Sequence, residues 1–372
     1  MSARRLALEA LARIDEGAYA NLVLGSLLER SGLDDRDRRL ATELVYGTTR
    51  RRRALDFAVD RFRRGEVEEE VRRILRLGAY QIGFTDIPDH AAVGETVELA
   101  PHRARGLVNA VLRRVATAGA PAWPDAATEL SYPDWVVALL ERDLGHDDAR
   151  AALAAMNASA EVTERPDGYI QDLASQWVAN YVGAGAPALV ADVCAAPGGK
   201  ATALAGRAAT VVAGDRRAVR AGLISENAER LGLDNISVLV ADAGAPALRR
   251  GRFSAVLVDA PCSGLGVLRR RPDARWRIDS DAPERLGEVQ KALLSAAAEL
   301  VAPGGRLYFS VCTLSGAETT AIDEWSAGAL PGWEAVPDAP PDGPWRPRGR
   351  GWMLLPQDAG TDGMYVLGLA PV

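Results

Sequence analysis

Asp192-Val193-Cys194-Ala195-Ala196-Pro197-Gly198-Gly199-Lys200 is the most informative stretch of the chain. It follows an apolar run at residues 188–193 and leads into a helical pattern, so it predicts a turn from a strand into a helix. Glycines at such a turn let the backbone approach a ligand at the helix N-terminus. The stretch has neither the G-x-x-x-x-G-K-[ST] spacing of a phosphate-binding loop nor the G-x-G-x-x-G spacing of a dinucleotide-binding loop. It therefore predicts a different kind of ligand site in an α/β fold.

Short β-rich runs alternate with helical patterns from residue 187 onward. The predicted strands are residues 188–193, 210–213, 236–240, 255–258 and 306–311, with a helix at residues 284–300. Such alternation is typical of a parallel, doubly wound sheet. Apolar runs at residues 352–355 and 364–369 predict an antiparallel hairpin that closes the sheet edge.

The first 115 residues contain helical patterns only. Leu6, Leu8, Leu11 and Ile14 keep a helical period, and similar stretches follow to residue 115, which predicts an all-helical bundle. Residues 118–124 are rich in Ala, Gly and Pro and predict a linker. Two shorter helices are predicted at residues 133–143 and 147–156.

Composition excludes several classes of protein. A chain of 372 residues favours two domains, and no run approaches eighteen apolar residues, so no membrane span is expected. The three cysteines are widely spaced and the three histidines all lie upstream of them, which argues against a metal site. An odd, low cysteine count without a secretory leader predicts a reducing, cytoplasmic setting.

Charge is distributed unevenly. The net charge is −6, and the basic residues are almost all arginine. Basic clusters lie at residues 50–53, at Arg61, Arg63 and Arg64, and at Arg269, Arg270, Arg271, Arg275 and Arg277. A solvated helix face is the ordinary explanation of such a cluster. The last one is interleaved with Trp276, and a stacking ring among arginines predicts contact with a nucleic acid.

Acidic residues follow the second and third predicted strands. Asp215 is placed to hold two ribose hydroxyls, and Asp242 is placed near an adenine edge. A glycine loop followed by these two acids suits a nucleoside cofactor without a pyrophosphate. The order favours S-adenosylmethionine over NAD, and ordinary strand-end acids of an α/β fold are the alternative.

Each cysteine also follows an apolar run. Because the carboxyl ends of parallel strands meet at one edge, Cys262, Cys312 and Asp259 are expected to converge beside the methyl donor. Burial as a small apolar side chain is the alternative for any one cysteine. A thiolate that adds to C6 of a pyrimidine makes C5 nucleophilic enough to accept a methyl group. The reaction also needs a proton near N3 and a base for H5, tasks that suit Asp259 and Cys262.

The residues also resemble a known family. Residues 194–200, residues 259–270 with Trp276, and Ser310-Val311-Cys312-Thr313 followed by Glu318 resemble the RNA 5-methylcytosine methyltransferases. Residues 41–47, 75–81, 87–93 and 108–114 resemble the NusB-like domain of one branch, the ribosomal RNA small subunit methyltransferase B family, also called Sun or Fmu.

The resemblance implies an α/β architecture in three segments. These are a NusB-like, RNA-binding helical bundle at residues 1–120, a helical linker with a shortened RNA-binding subdomain at 121–165, and a class I, Rossmann-like methyltransferase domain with a mostly parallel, seven-stranded sheet at 166–372. It implies small-subunit ribosomal RNA as the partner, S-adenosylmethionine as the cofactor, and no metal or membrane. A monomer is favoured.

The resemblance also assigns roles to residues. Cys312 is the nucleophile, Cys262 assists product release, and Asp259 serves both the chemistry and the cofactor pocket. The cofactor pocket is lined by Cys194, Ala195, Ala196, Pro197, Gly198, Gly199, Lys200, Asp215, Asp242 and Asp259. The predicted RNA contacts are Arg269, Arg270, Arg271, Arg275 and Trp276.

The chain departs from the family pattern at three places. Val311 and Thr319 replace the usual threonine and asparagine, and most of an RNA-contacting subdomain is missing between Asn157 and Gln171. Two alternatives therefore stay open. One is the same chemistry on another RNA such as transfer RNA. The other is an RNA-binding assembly factor with a lapsed methyltransferase half, against which the intact Asp259, Cys262 and Cys312 count.

Overall fold

The structure is a computed structural model that describes residues 1–63 and 65–372. The chain folds as two compact units. The first unit comprises Met1–Ala138 and Arg270–Ile278, and the second comprises Leu139–Arg269 and Asp279–Val372. The segment that carries most of the predicted RNA contacts thus packs as part of the first unit. The three segments predicted from the sequence stay a prediction.

The N-terminal part of the chain is helical, as predicted. Its helices are α1 Ala3–Asp15, α2 Ala20–Ser31, α3 Asp35–Arg50, α4 Arg52–Asp60, α5 Glu69–Phe84, α6 Asp89–Leu99, α7 Arg105–Ala118 and α8 Ala126–Leu130. Asp34 caps α3, since its Oδ1 accepts a hydrogen bond from the Asp37 amide at 2.8 Å. Gly32, at φ 64°, ends α2 in the left-handed conformation that glycine adopts without strain.

Leucine, isoleucine and valine side chains from these helices form one core. Leu6, Leu44, Ile74 and Leu112 are completely buried, and each such side chain contributes about 1.5–3 kcal/mol. Gly47 lets α3 and α5 approach closely, because a Cβ there would lie 1.9 Å from the ring of Tyr80. The helical period of the sequence therefore corresponds to a buried face.

The remaining helices and the strands form an α/β arrangement. The helices are α9 Asp134–Leu144, α10 His146–Ala155, α11 Leu173–Val182, α12 Gly199–Ala205, α13 Ala218–Arg230, α14 Ala282–Ala298, α15 Thr320–Ala329 and α16 Pro356–Ala359. The strands are β1 Leu189–Asp192, β2 Thr210–Asp215, β3 Ile236–Val240, β4 Phe253–Asp259, β5 Val301–Val311, β6 Trp333–Ala335, β7 Arg346–Arg348, β8 Gly351–Leu354 and β9 Met364–Pro371.

The strands form a sheet in the order β3-β2-β1-β4-β5-β9-β8-β7, and β6 also pairs with β9. Strands β1 to β5 are parallel, and β6 to β9 pair in antiparallel fashion. The predicted count of seven strands is wrong, because the described part of the chain has nine. β6 and β7 have three residues each and are too short for an alternating pattern.

The register of the parallel strands brings their carboxyl ends together. Asp192 of β1 pairs with Leu257 of β4, and Asp259 at the end of β4 pairs with Ser310 of β5. The loops that follow β1, β4 and β5 therefore leave the sheet at the same edge, which is where ligands bind in open α/β sheets. Separately, no helix in the described ranges has the length and apolar character needed to cross a membrane.

Candidate active site

The glycine loop after β1 is held by bonds from its own backbone and from α13. The Ala195 amide donates to the Gly214 carbonyl at 2.8 Å, and Arg220 donates to the Ala196 carbonyl at 2.7 Å. Gly198 has φ +107°, and a Cβ there would lie 3.3 Å from the Cα of Ile224. The chain thus needs glycine at this position for two reasons, its left-handed backbone and its close approach to α13.

The two predicted cofactor acids lie in different surroundings. Asp215 is buried at the end of β2, where its carboxylate accepts from the Arg217 amide at 2.9 Å and pairs with Arg220 at 3.1 Å. Asp242 is exposed after β3, and its Oδ1 accepts from the Gly244 amide at 2.9 Å. Both carboxylates are thus oriented by their own loops.

A concavity opens beside the ends of β1, β2 and β3, and Asp192 lines it together with Gly214 and Ala241. Asp192 is 1% exposed, and neither carboxylate oxygen has a hydrogen-bond partner among the described residues. Burial, and then the charge of Asp259, raise the pKa of Asp192 to about 8, although the charge of Lys200 and the backbone amide of Cys194 oppose the rise. The sequence pattern led to no role for Asp192, although its place at a strand end next to the glycine loop was a signal.

Lys200 joins the cofactor loop to the end of β4. Its Nζ lies 2.9 Å from Oδ1 of Asp259. Burial lowers the pKa of Lys200, but the charge of Asp259 and the hydrogen bond to it raise that pKa above its ordinary value overall. Lys200 therefore stays cationic in a buried position. The sequence placed Lys200 in the cofactor loop and Asp259 in the chemistry, but it did not show that they form an ion pair.

The two thiols predicted to converge do so. Sγ of Cys262 lies 3.3 Å from Sγ of Cys312, and both side chains are partly buried. The hydrogen bond to Cys312 and burial raise the pKa of Cys262 well above its ordinary value. Gly266 keeps the two loops close, because its amide donates to the Cys312 carbonyl at 3.0 Å and a Cβ at Gly266 would lie 3.0 Å from that same oxygen. Cys194, in the cofactor loop, has its pKa raised by burial.

A buried carboxylate links the two cysteine loops. Glu318 has no exposed surface and accepts hydrogen bonds from the Ser263 amide at 2.8 Å and from Thr313 at 3.1 Å. Gln290 donates to Glu318 at 3.1 Å and to the Pro261 carbonyl at 3.0 Å. Burial raises the pKa of Glu318, although these hydrogen bonds oppose the rise. The motif contained Glu318, but its bridging position depends on long-range contacts that spacing does not reveal.

The two substituted family positions are accommodated in the structure. Val311 is completely buried in β5. Thr319 is buried too, and its hydroxyl donates to the Ser315 carbonyl at 2.7 Å. Neither residue contacts the thiols through a hydrogen bond in the described part of the chain. Both residues are therefore packed close in sequence to Cys312, whose Sγ lies beside that of Cys262.

The residues predicted to contact RNA differ in how deeply they are buried. Arg275 has no exposed surface, donates to the carbonyls of Arg50 at 3.2 Å and Ser131 at 3.1 Å, and lies 3.9 Å from the ring centroid of Tyr132. Burial lowers the pKa of Arg275 to about 10. Arg275 holds its segment to the helices of the first unit and offers no surface to RNA in this conformation.

The other predicted contacts differ in their accessibility. Arg269 is 5% exposed and donates to the Gly360 carbonyl, whereas Arg270 is partly exposed and Arg271 is exposed. The indole of Trp276 is partly exposed, and its Nε1 donates to the Thr49 carbonyl at 2.7 Å. RNA contact stays a prediction for all five residues, although the burial of Arg269 and Arg275 leaves the accessible surface to Arg270, Arg271 and Trp276. Arg64 of the upstream basic cluster lies outside the described residues.

The parallel strands, the glycine loop and the acids at the strand ends define a Rossmann-like methyltransferase that follows a NusB-like helical region. Comparison with known proteins agrees. Residues 186–370 match the family model of the 16S rRNA methyltransferase RsmB/F, and residues 1–117 match the NusB family. The chain belongs to the ribosomal RNA small subunit methyltransferase B family.

Individual relatives extend over nearly the whole chain. The probable ribosomal RNA small subunit methyltransferase B of Bacillus subtilis is 32% identical, with 98% of each chain covered. The ribosomal RNA small subunit methyltransferase B of Thermus thermophilus is 36% identical, with 97% of this chain and 96% of the relative covered. The crystal structure of PH0851 has a similar fold, with a TM-score of 0.78, 19% identity, and 99% of this chain and 98% of that one covered.

Proposed function

We propose that the protein transfers a methyl group from S-adenosylmethionine to C5 of a cytidine in small-subunit (16S) ribosomal RNA, and that Cys312 forms a transient covalent bond to C6. The observation that carries the proposal is the 3.3 Å contact between the thiols of Cys262 and Cys312, at the sheet edge that also holds the Lys200–Asp259 pair. Two adjacent thiols suit a reaction in which one thiolate attacks the base and a second group removes a proton from it.

The residues at the ends of β1 to β3 fit S-adenosylmethionine. When bound, S-adenosylmethionine supplies an electrophilic methyl group. It has no phosphate, which agrees with a loop that lacks a phosphate-binding spacing, and it has cationic groups that suit an acidic lining. The buried carboxyl group of Asp192, whose oxygens have no hydrogen-bond partner among the described residues, supports this fit, since a ligand donor would supply the hydrogen bonds it lacks. Asp215 and Asp242 would hold the ribose and the adenine edge.

Attack on the base begins with the Cys312 thiolate. The Lys200 ammonium, on the cofactor loop, and Cys312 interact electrostatically. As the Cys312 sulfur bonds to C6, the electron pair of the C5–C6 double bond moves into the C4–C5 bond, and the C4–N3 pair moves onto N3. The Lys200 ammonium, whose Nζ lies 2.9 Å from Oδ1 of Asp259, shares a proton with N3 as charge develops there, and Asp259 orients it. C5 is then nucleophilic and takes the methyl group, which would leave S-adenosylhomocysteine, and the Lys200–Asp259 pair recovers its proton when the ring is restored.

Release requires the loss of H5 and the expulsion of the Cys312 sulfur from C6. We assign the removal of H5 to the thiolate of Cys262. Because its pKa is raised, this thiolate is a stronger base than an ordinary one, although less of it is present at neutral pH. The electrons of the C5–H bond re-form the C5–C6 double bond, and the C6–S bond breaks.

Substitution of the nucleophile tests the proposal. Cys312→Ala is expected to abolish transfer of a labelled methyl group from S-adenosylmethionine to 16S rRNA, while calorimetry shows an almost unchanged cofactor affinity. Full activity of a correctly folded Cys312→Ala variant would contradict the assignment of the nucleophile.

A further inference from the structure

Four arginine side chains line a concavity in the first unit. The lining residues that matter here are Thr48, Arg52, Arg73, Arg76, Trp276 and Arg277. They come from α3, α4, α5 and the segment Arg270–Ile278, all of which belong to that unit. Two carboxylates, those of Asp15 and Asp273, also line the concavity, so the cationic groups outnumber the anionic ones. An excess of guanidinium groups around a concave surface favours an anionic ligand.

The arginines differ in how closely they are paired. Arg73 lies 2.8 Å from Asp15, and Arg277 lies 2.6 Å from Asp273. Arg76 donates to both carboxylate oxygens of Asp56, at 2.7 and 2.9 Å. Arg52 comes only to within 4.0 Å of Asp15. No hydrogen bond of the Arg52 side chain is found within residues 1–63 and 65–372. Arg52 therefore has its hydrogen-bond donors available for a ligand.

Thr48 also lacks a partner. It is 2% exposed, and its hydroxyl makes no hydrogen bond to any described residue. The hydroxyls of Thr42 and Thr49, on the same helix, donate to the carbonyls four residues earlier. A buried hydroxyl without a partner is unfavourable, so a ligand oxygen that accepts a hydrogen bond from Thr48 would relieve this penalty. A phosphate oxygen is such an acceptor.

Trp276 supplies an aromatic surface that is fixed in place. Its indole nitrogen donates to the Thr49 carbonyl, and the Arg52 guanidinium lies 5.9 Å from its ring centroid. An aromatic ring next to available cationic groups is the combination that binds single-stranded nucleic acids, through base stacking and phosphate contacts.

We propose that this concavity binds one phosphodiester of a single-stranded RNA segment, with Arg52 and Thr48 on the phosphate and a neighbouring base against Trp276. The inference rests on the proposed function only in taking RNA as the substrate. It gives the first unit a defined RNA site in a chain that lacks most of the RNA-contacting subdomain.

The test uses the full-length protein and a fluorescein-labelled, single-stranded RNA of mixed sequence, long enough to span several nucleotides on either side of the concavity. Fluorescence anisotropy over a range of KCl concentrations gives the affinity and its salt dependence. Arg52→Gln is expected to bind roughly tenfold more weakly, and the slope of log K against log [KCl] should become shallower by about 0.7, the value for one lost phosphate contact on a single strand. Thr48→Val should weaken binding roughly threefold, as for the loss of one hydrogen bond.

Arg103→Gln is the matched control. It also removes one guanidinium from the first unit, at an exposed ion pair with Glu68. Equal affinities and equal slopes for Arg52→Gln, Thr48→Val and Arg103→Gln would overturn the proposal. A second arm titrates adenosine monophosphate. Loss of its binding in Arg52→Gln with unchanged RNA affinity would assign the concavity to a free nucleotide and would also overturn it.

The two proposals fail separately. Cys312→Ala should lose methyl transfer and keep its RNA affinity, because Cys312 is not part of this concavity. If Cys312→Ala retained transfer, the chemistry would be wrong while the RNA site could still be measured by anisotropy. If Arg52→Gln behaved like the control, the RNA site would be wrong while the chemistry stood.

Discussion

The sulfur atoms of Cys262 and Cys312 lie 3.3 Å apart, although fifty residues separate them in the chain. Adjacent parallel strands cause this proximity, since Asp259 of β4 pairs with Ser310 of β5 and each cysteine follows its strand end. The contact gives the two thiols access to one base. Each thiol can be replaced without changing the strands, so the roles of the two cysteines can be tested by separate substitutions.

Cys262→Ala is expected to trap a covalent complex between the protein and RNA. The variant keeps the nucleophile but lacks the group that removes H5, so the Cys312–C6 bond persists after methyl transfer. A denaturing gel of the variant incubated with S-adenosylmethionine and 16S rRNA should show a band that resists denaturation. The double variant Cys262→Ala/Cys312→Ala is the control and should show none. A Cys262→Ala variant that turns over without such a band would exclude the release role.

Glu318→Gln is expected to slow methyl transfer by about one to two orders of magnitude while leaving cofactor affinity unchanged. The carboxylate accepts from both Ser263 and Thr313, and an amide cannot accept at both of its ends. The loops that carry the two cysteines would then lose their common partner, at a cost of about 1–3 kcal/mol in unfolding free energy.

A matched control distinguishes a loss of thiol positioning in Glu318→Gln from a general loss of protein stability. Its single-turnover rate is compared with that of Glu324→Gln, which makes the same chemical change at an exposed position on the following helix, α15. A rate equal to that of Glu324→Gln at a temperature where both variants are folded would show that Glu318 does not position the thiols.

Asp192 should make stability depend on pH. Burial raises its pKa to about 8 in the folded state, from an ordinary value of 3.8. The folded state therefore holds this proton more tightly than the unfolded state. The contribution of this proton to the unfolding free energy is fully present below about pH 4 and is lost as the pH rises through about 8.

Asp192→Asn removes this dependence. Each unit of difference in pKa corresponds to about 1.4 kcal/mol, so the effect on the unfolding free energy amounts to a few kcal/mol. Without cofactor, the variant should gain in melting temperature relative to the native protein as the pH rises from about 5 to about 8. Asp234→Asn, at an exposed loop position, is the control and should follow the native protein. Parallel pH profiles for all three proteins would contradict the buried, unpaired state of Asp192.

Much of the fold could be predicted from local patterns. The five parallel strands have apolar runs long enough to recognise, and the convergence of Cys262 with Cys312 follows from the rule that parallel strands share an edge. β6 and β7 could not be predicted, because three-residue strands owe their existence to pairing with distant neighbours. Pairing across the sheet carries no local signal.

The side-chain contacts of the site could not be predicted from local sequence patterns either. The Lys200–Asp259 ion pair and the hydrogen bonds of Glu318 join residues far apart in the sequence, and only the folded chain brings them together. Arg275 illustrates a different limit. A basic, aromatic run resembles an RNA contact, yet the Arg275 guanidinium is occupied by buried carbonyls and by the ring of Tyr132. Composition cannot distinguish a buried arginine from an exposed one.

Bisulfite sequencing of ribosomal and transfer RNA decides whether this protein forms 5-methylcytosine in 16S rRNA. RNA is compared from cells with the native protein, without it, and with Cys312→Ala in its place. We predict a cytidine in 16S rRNA that resists conversion only when the native protein is present. Identical conversion of every 16S rRNA cytidine in all three samples, or protection confined to transfer RNA, would contradict the proposed activity.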